Sequence, residues 1–356
     1  MKKLNKTTRS NTFTYLGVTL VFIVLEILGV TGHISSMLKG QLVPICAYAI
    51  MAISLNLTVG VLGELSLGHA GFMSVGAFSG LVAAMSLQSS IPSTPLRLAV
   101  SIAVAGLFAA IAGVLIGIPV LRLKGDYLAI VTLAFGEIIK GIFNNLYIGA
   151  DSRGLHFSML TDSNSLGLED GGKIIINGPM GVSGIAKIST FAAGFVLLLI
   201  TLFVVFNLVN SRAGRAIMAI RDNRIAAESV GINITKYKLM AFVTSAALAG
   251  MSGALFSMNY STIVASKFDF NTSILILVFV VLGGLGNMWG SIIAAAVLTI
   301  LPEALRGLAN YRMLIYAIVL IVVMIATNSK LLQNIPFLHR KDDEKSNQAE
   351  GGGANE

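Results

Sequence analysis

The sequence is poor in charge. Only 12% of its 356 residues are Asp, Glu, Lys or Arg, whereas 55% are hydrophobic. A soluble domain carries about 25% charged residues. Apolar runs of about 20 residues recur along the chain, and each is long enough to cross the hydrocarbon core of a membrane as a helix. Because the alternating segments of a membrane β-barrel are not found, we expect an all-α polytopic membrane protein that contacts lipid.

Residues that build cofactor sites are also scarce. The single cysteine, Cys46, rules out an internal disulfide and a Cys-based zinc site. The histidines are scattered, so no metal site is expected. No Gly-x-x-x-x-Gly-Lys-Ser/Thr loop is present to hold nucleotide phosphates, and we expect no bound cofactor. The net charge of +8 comes from cations at the ends of apolar runs, which is the bias of cytoplasmic loops and no sign of nucleic-acid binding.

Polar and apolar stretches divide the chain into segments. Residues 1–12 are basic and are expected in the cytoplasm, as is the C-terminus, and residues 13–328 form the predicted transmembrane domain. We count about ten transmembrane or re-entrant helices (roughly 8–10), because the apolar run 272–305 is too long for one span and glycines break it. The mixed-charge loop 147–188 favours the extracytoplasmic side. Residues 329–356 are predicted to be a disordered cytoplasmic tail.

The longest basic stretch, residues 211–238, lies between two apolar runs. Apolar residues recur in it at helical spacing, namely Ile217, Ile220, Ala227 and Val230. This spacing predicts a short amphipathic helix with one apolar stripe, lying on the cytoplasmic membrane surface with its other face free for a partner. A solvated loop that obeys the cytoplasmic charge bias is the alternative.

Glycines interrupt apolar segments in both halves of the chain, at residues 63–71 and 283–290. Broken membrane helices in corresponding positions indicate the pathway of a pseudo-symmetric transporter, since irregular backbone is tolerated only inside protein or beside a cavity. A tight turn or a close helix contact is the alternative for each break. The candidate residues of the translocation path are Gly63, Ser66, Gly68, His69, Glu137, Gly283, Gly284 and Gly286.

Two of these candidates are titratable. Glu137 lies near the middle of a predicted span, where an ionisable group is a functional hypothesis by default. Lys140 follows three residues later, so an intrahelical ion pair is the alternative interpretation. We expect His69 to make a structural hydrogen bond rather than to bind a ligand.

Four stretches resemble one transporter family. They are Leu62-Gly-Glu-Leu-Ser-Leu-Gly-His-Ala-Gly-Phe72, residues 122–138, residues 219–253 and Val281-Leu-Gly-Gly-Leu-Gly-Asn-Met-Trp-Gly290. In content and order they resemble the permease subunits of bacterial branched-chain amino acid ABC importers, most closely the LivM type, over residues 40–328. The resemblance implies the ABC importer permease fold and a non-catalytic, multi-pass subunit of the bacterial inner membrane.

The resemblance also implies partners. These are a LivH-type second permease, two ATP-binding cassette ATPase subunits that use ATP and Mg, and an extracytoplasmic substrate-binding protein. Residues 226–231 look like the Glu-Ala-Ala-x-x-x-Gly loop of ABC permeases, although Ile225 stands where the leading Glu would be. Residues 211–238 would then be a coupling loop with Gly231 ending its helix. The candidate residues for contact with the ATPase are Arg221, Asp222, Asn223, Arg224, Ala226, Ala227, Glu228 and Gly231.

The predicted function is import of branched-chain amino acids by alternating access, driven by a separate ATPase. A permease of the same superfamily for urea, amides or another small polar solute is the nearest alternative. An ion-coupled secondary transporter would need grouped acidic residues, whereas Glu26, Glu137 and Asp269 show no grouping. A membrane enzyme would need a nucleophile with its base, or clustered metal ligands, and the sequence indicates neither.

Overall fold

The computed structural model describes most of the chain as a series of helices, and a few short ranges of residues are not described. The described residues are 6–31, 36–88, 90–123, 125–151, 154–159, 166–167 and 172–305, with the single positions 314, 317, 318 and 321. The chain divides into two compact units, Met1–Ile300 and Leu301–Glu356. The predicted tail 329–356 and nearly all of the last predicted span, 313–327, lie outside the described residues.

Eleven α-helices occur among the described residues. They are α1 (Lys6–Val30), α2 (Ser36–Asn56), α3 (His69–Ser86), α4 (Thr94–Val120), α5 (Asp126–Asn144), α6 (Phe191–Asn210), α7 (Arg212–Asp222), α8 (Arg224–Ser229), α9 (Ile234–Ser257), α10 (Phe270–Gly283) and α11 (Met288–Ala304). Short 3₁₀-helices cover Gly178–Met180 and Ala265–Phe268. The long apolar run predicted at 272–305 is therefore two helices, α10 and α11, joined by a glycine-rich turn.

Within the described part of the chain, five stretches are long and apolar enough to cross a membrane: Leu38–Leu62, α3, α4, α6 and α9. Thr14–Leu28, α10 and α11 are shorter apolar helices. Helix α5 is also rich in apolar residues, but Asp126, Glu137 and Lys140 interrupt its apolar surface. These helices confirm a mostly helical, polytopic membrane protein.

Helix α2 does not end as a regular α-helix. After Asn56 the chain widens into a six-residue π-helix, Leu57–Leu62, which stops at Gly63 with a φ of 80°. Only glycine adopts this left-handed conformation without strain. π-Helical turns are rare and are frequently found at functional sites, because they leave backbone groups without their regular helical partners.

Glycines bring α3, α4 and α9 into close contact. A Cβ at Gly76 of α3 would overlap the backbone of Gly250, and one at Gly253 would overlap the carbonyl oxygen of Met73. On α4, Gly106 and Gly113 face side chains of α9 in the same way. In a bilayer, where burial of apolar surface does not drive helix association, such small residues let helices pack through van der Waals contact.

The loop between α5 and α6 adds short β-strands to the mostly helical fold. Strands β1 (Tyr147–Asp151), β2 (Gly154–Ser158) and β3 (Lys173–Asn177) form an antiparallel sheet in the order β2-β1-β3. Strands β4 (Val182–Ser183) and β5 (Thr262–Ile263) pair separately. Open sheet edges cannot face hydrocarbon, because their backbone groups need water or protein partners. The sheets therefore lie outside the hydrocarbon core, at one end of the helical bundle.

The two ends of the helical bundle differ. Helix α6 starts beside the sheets and, after 20 residues or about 30 Å, leads into α7. We call the end that carries α7 and α8 the coupling end, and the end that carries the sheets the sheet end. The predicted loops 147–188 and 211–238 thus lie at opposite ends of α6.

The close contact of α3 and α9 gives a stability prediction. Replacing Gly253 with Ala forces a Cβ against the backbone of Met73 and should lower the free energy of unfolding by about 1–3 kcal/mol, as overpacking does. The matched control is Gly141→Ala on α5, where a Cβ meets no atom within 4 Å. Thermal unfolding of the purified proteins measures both changes. Equal stability of the two variants would contradict the close packing of α3 and α9.

Candidate coupling and translocation site

The predicted amphipathic helix in residues 211–238 is two helices, α7 and α8. Asn223 separates them with extended backbone, φ −153° and ψ 104°, and its side-chain oxygen accepts a hydrogen bond from the Ala226 N–H at 3.0 Å. Asparagine is among the preferred N-cap residues because its side chain satisfies a free N–H of the first turn. The prediction of a single helix is therefore wrong, and α9 already begins at Ile234.

Helix α8 ends at a glycine-dependent turn. Gly231 has a φ of 83°; its N–H donates to the carbonyl of Glu228 at 3.0 Å, and the Ile232 N–H donates to the carbonyl of Ala227 at 3.1 Å. These two bonds form a Schellman motif, which satisfies the last carbonyls of a helix. With a cap at each end, α8 is a short and well-defined element.

The apolar stripe of this segment is shorter than predicted. Ile217, Ile220 and Ala227 are buried, and the last two form a cluster with Ile234. The side chains of Val230 and Ile225 are instead 74% and 81% exposed. The break at Asn223 resets the helical phase, so the stripe of α7 does not continue along α8. Sequence analysis missed these two outward-facing apolar side chains, although the departure at Ile225 from the family loop was a signal.

Arg221, a predicted ATPase contact, points into its own chain. Its Nη1 donates to the carbonyl oxygen of Gly60 in the π-helix at 2.9 Å, and its Nε and Nη2 donate to Asp222 at 3.2 and 3.0 Å. A Cβ at Gly63 would lie 2.6 Å from the Arg221 Cγ. The arginine side chain thus lies across the end of the π-helix, and the glycine leaves room for it.

Asn56 joins the two glycine breaks. Its side-chain oxygen accepts a hydrogen bond from the Gly286 N–H at 2.7 Å, and its amide donates to the Asn287 carbonyl at 3.1 Å and to the Ser291 hydroxyl at 2.8 Å. Gly60 also approaches the backbone of Gly286 so closely that a Cβ would overlap it. The π-helix, which leads into the first glycine break, and the turn at 283–290 are far apart in sequence and therefore meet at one place. We call Asn56, Gly60, Arg221 and Gly286 the joint.

A buried ion pair anchors the loop that follows the joint. The Lys238 ammonium donates to the Glu64 carboxylate, and their side chains are only 7% and 14% exposed. Lys238 lies in the second turn of α9, so the pair ties the first glycine break to α9, as Arg221 ties it to α7. Further along, the Leu67 N–H donates to the Thr132 hydroxyl of α5 at 3.1 Å.

His69 has the structural role that the sequence indicated. It is buried, and its Nε2 lies 2.8 Å from the Ser54 hydroxyl, which donates its own proton to the Met51 carbonyl at 2.9 Å. The Ser245 hydroxyl donates to the Ser54 carbonyl at 2.5 Å. The other ring nitrogen, Nδ1, is buried and has no hydrogen-bond partner.

Other polar atoms near the first break are buried without partners. They are the hydroxyls of Thr58 and Ser66. Buried polar groups are usually hydrogen-bonded, and unpaired ones beside a broken helix are available to a polar solute or to water. Ser66 thus has the property that the predicted translocation path requires.

Glu137 lies apart from the joint, in the second half of α5. It forms an ion pair with Lys140, with side chains 44% and 27% exposed, respectively. Lys140 also acts on Asp269, the N-cap of α10. Partial burial tends to raise the pKa of Asp269, but hydrogen bonds from Thr272 and Asn271 and the nearby Lys140 lower it overall. Both carboxylates therefore have a local cation, and neither belongs to a group of three or more metal-ligating side chains within the described residues.

A bundle of apolar helices, two glycine breaks that meet in one joint, and a capped basic segment attached to that joint define a membrane transport component. Residues 37–326 match the family described as "Branched-chain amino acid transport system / permease component". The chain belongs to this family. Membership confirms the predicted non-catalytic membrane subunit, for which no cofactor is expected.

Curated relatives agree with this assignment. The chain is 35% identical over 318 residues to the high-affinity branched-chain amino acid transport system permease protein LivM of Salmonella typhimurium, covering 85% of this chain and 71% of the relative. It is 35% identical over 292 residues to LivM of Escherichia coli, covering 78% and 66%. A probable LivM of Methanocaldococcus jannaschii is 25% identical over 280 residues, covering 68% and 74%. No solved structure matches the chain significantly.

The buried ion pair gives a prediction for the first glycine break. Glu64→Gln or Lys238→Met alone leaves one buried charge without its partner and should lower the free energy of unfolding by about 3–5 kcal/mol. The double variant should recover a large part of that loss, because no unpaired charge remains. Thermal unfolding of the four proteins tests this, and strictly additive losses would show that the two side chains do not depend on each other.

Proposed function

We propose that the chain carries leucine, isoleucine and valine across the inner membrane by alternating access, together with a second permease, two ATPase subunits and an extracytoplasmic substrate-binding protein. The observation that supports this most is the joint, in which Arg221 of residues 211–238 is hydrogen-bonded to the π-helix, and Asn56, which precedes the π-helix, is hydrogen-bonded to the α10–α11 turn. Such a contact can pass a movement of α7 to both glycine breaks.

The coupling end is then cytoplasmic and the sheet end extracytoplasmic, with the N-terminus in the cytoplasm. The basic residues of α7 and of the following segment support this orientation, since cytoplasmic loops carry an excess of Lys and Arg. They are Arg212, Arg215, Arg221, Arg224, Lys236 and Lys238. The sheets at the other end are suited to water and to a protein partner.

Helix α8 is the contact surface for the ATPase. Arg221 and Ala227 make contacts within the chain, whereas Asp222, Asn223, Ala226 and Glu228 are exposed, together with the apolar Ile225 and Val230. Large apolar side chains exposed on a rigid element often mark an interaction site. The ATPase therefore receives α8 in a groove with apolar walls, and Ile225 replaces the charged contact that a leading Glu would make.

Movement of α7 displaces the joint against α5 and opens the path on one side. The solute passes the buried polar groups of the first break, Ser66 and His69 among them, and the Gly283, Gly284 and Gly286 turn. Gly68 packs directly on the Thr132 backbone of α5, so this contact is where the path closes. Glu137, paired with Lys140, faces the path nearer the sheet end.

An ion-coupled mechanism is less well supported by the geometry. Asp269 caps α10, and Glu137 is paired with Lys140, so neither carboxylate is free to bind a coupling cation. A cargo of urea or another small polar solute agrees equally well with the joint, since the joint carries no information about the solute.

Reconstitution tests the proposed function. Proteoliposomes with this chain, the second permease and the two ATPase subunits, supplied with the binding protein, should accumulate labelled leucine only when ATP is inside with the ATPases. Urea should not accumulate. Leucine uptake that persists without ATP in an imposed ion gradient would contradict the ABC mechanism, and uptake of urea without leucine would contradict the proposed solute class.

The exposed face of α8 gives a prediction for coupling. Ile225→Ser should weaken binding of the ATPase subunits about tenfold, because burying this side chain contributes about 1.5–3 kcal/mol and a factor of ten corresponds to about 1.4 kcal/mol. Titration of the ATPase onto the permease pair in nanodiscs measures the affinity. The control is Met180→Ser, since Met180 is 71% exposed but lies at the sheet end. Unchanged affinity of the Ile225 variant would exclude α8 as an apolar contact.

A further inference from the structure

Arg97, in the first turn of α4, is a buried cation that forms no ion pair with any residue the structure describes. The residue is only 8% exposed, and its Nε has no hydrogen-bond partner. None of the ion pairs within the described residues includes it. A buried charge is costly unless it is paired, and an ionisable residue in a membrane protein is a functional hypothesis by default.

Arg97 also lines a small cavity at the sheet end. Around it, the ends of α3 and α9 and the segment before α6 contribute mostly apolar side chains, including Leu81, Ile185, Ile188 and Met258. Gln88 is the other polar side chain in the lining. The cavity volume is about 20 Å³, which is room for roughly one water-sized polar group.

The start of α4 adds to the positive character of this cavity. The 27-residue helix begins after Ser93, whose side chain makes no capping hydrogen bond, and a helix N-terminus favours an anion. One turn beyond Arg97, on the same helix face, the Ser101 hydroxyl is fully buried and has no partner. The unpartnered Nε of Arg97 and a helix start therefore coincide beside one apolar-walled space, and the unpartnered Ser101 hydroxyl lies one turn further along α4.

We propose that the Arg97 cavity is a carboxylate-binding site at the sheet end. A guanidinium is suited to carboxylates because its fork of N–H donors matches both oxygens, and the apolar walls are compatible with the aliphatic carbon next to such a group. The cavity has room for about one water-sized group, so an oxygen of the carboxylate enters it and the rest of the ligand stays outside. Which molecule supplies the carboxylate rests on the proposed function. It belongs either to the entering amino acid or to an acidic side chain of the substrate-binding protein.

The first experiment separates these sources without the binding protein. The permease complex is placed in nanodiscs, and L-leucine, leucinamide and sodium acetate are titrated while thermal stability is recorded. If the solute supplies the carboxylate, leucine and acetate stabilise the wild type and leucinamide does not. Arg97→Gln should remove the effect and Arg97→Lys should retain part of it, which distinguishes loss of a site from loss of folding.

The second experiment measures the affinity of the binding protein for the same nanodiscs. If an acidic side chain of that protein supplies the carboxylate, Arg97→Gln weakens its binding tenfold or more, and leucine alone has no effect on the wild type. Lys187→Gln is the matched control, because Lys187 is an exposed cation of the same end and its loss should change neither readout.

The proposal is overturned if Arg97→Gln leaves both the carboxylate effect and the affinity of the binding protein at wild-type values, or if Lys187→Gln produces the same losses. Failure of the proposed function has a different outcome. In that case the wild-type complex does not take up leucine with ATP, while acetate still stabilises it through Arg97.

Discussion

The structure depends on a rule of membranes: every backbone polar group within the bilayer needs a partner inside the protein. The π-helix at Leu57–Leu62 breaks the regular ladder, and its Gly60 carbonyl is satisfied by Arg221, a side chain from the coupling segment. The turn between α10 and α11 is satisfied in the same manner by Asn56. Because the backbone groups at both breaks need hydrogen-bond partners, the broken segments bind each other and α7. This requirement connects the three segments physically.

Composition and periodicity predicted much of this protein, because the bilayer restricts the possible folds to helices of a known length. The apolar runs located most spans, and the glycine breaks were correctly identified as special. The π-helix was not foreseeable, since Leu57–Leu62 carries no charge or proline and its hydrogen-bond pattern is set by partners far away in sequence. The sheet in the loop 147–188 was not predicted for a related reason: its strands are short, and they are held by pairing with one another.

The coupling segment shows where local patterns fail. Its apolar spacing continues across Asn223 in the sequence, but an N-cap at that residue starts a new helix with a different phase. Val230 therefore turns outward, and Ile225 with it. Arg221 would be expected to contact the partner by its charge alone, whereas its partner is the Gly60 carbonyl of its own chain. The two ends of the bundle thus differ in chemistry. The coupling end carries exposed apolar side chains and cations, whereas the sheet end carries the buried Arg97.

A distance measurement tests the central claim that Arg221 passes the movement of the coupling segment to the glycine breaks. Cys46 is the only cysteine, so its replacement allows spin labels at Leu285 in the turn and Tyr127 at the start of α5, both exposed. In the assembled complex, ATP binding should change the Leu285–Tyr127 distance in the wild type. In Arg221→Ala it should remain at the nucleotide-free value while ATP hydrolysis continues. The same ATP-dependent change in both proteins would contradict the account.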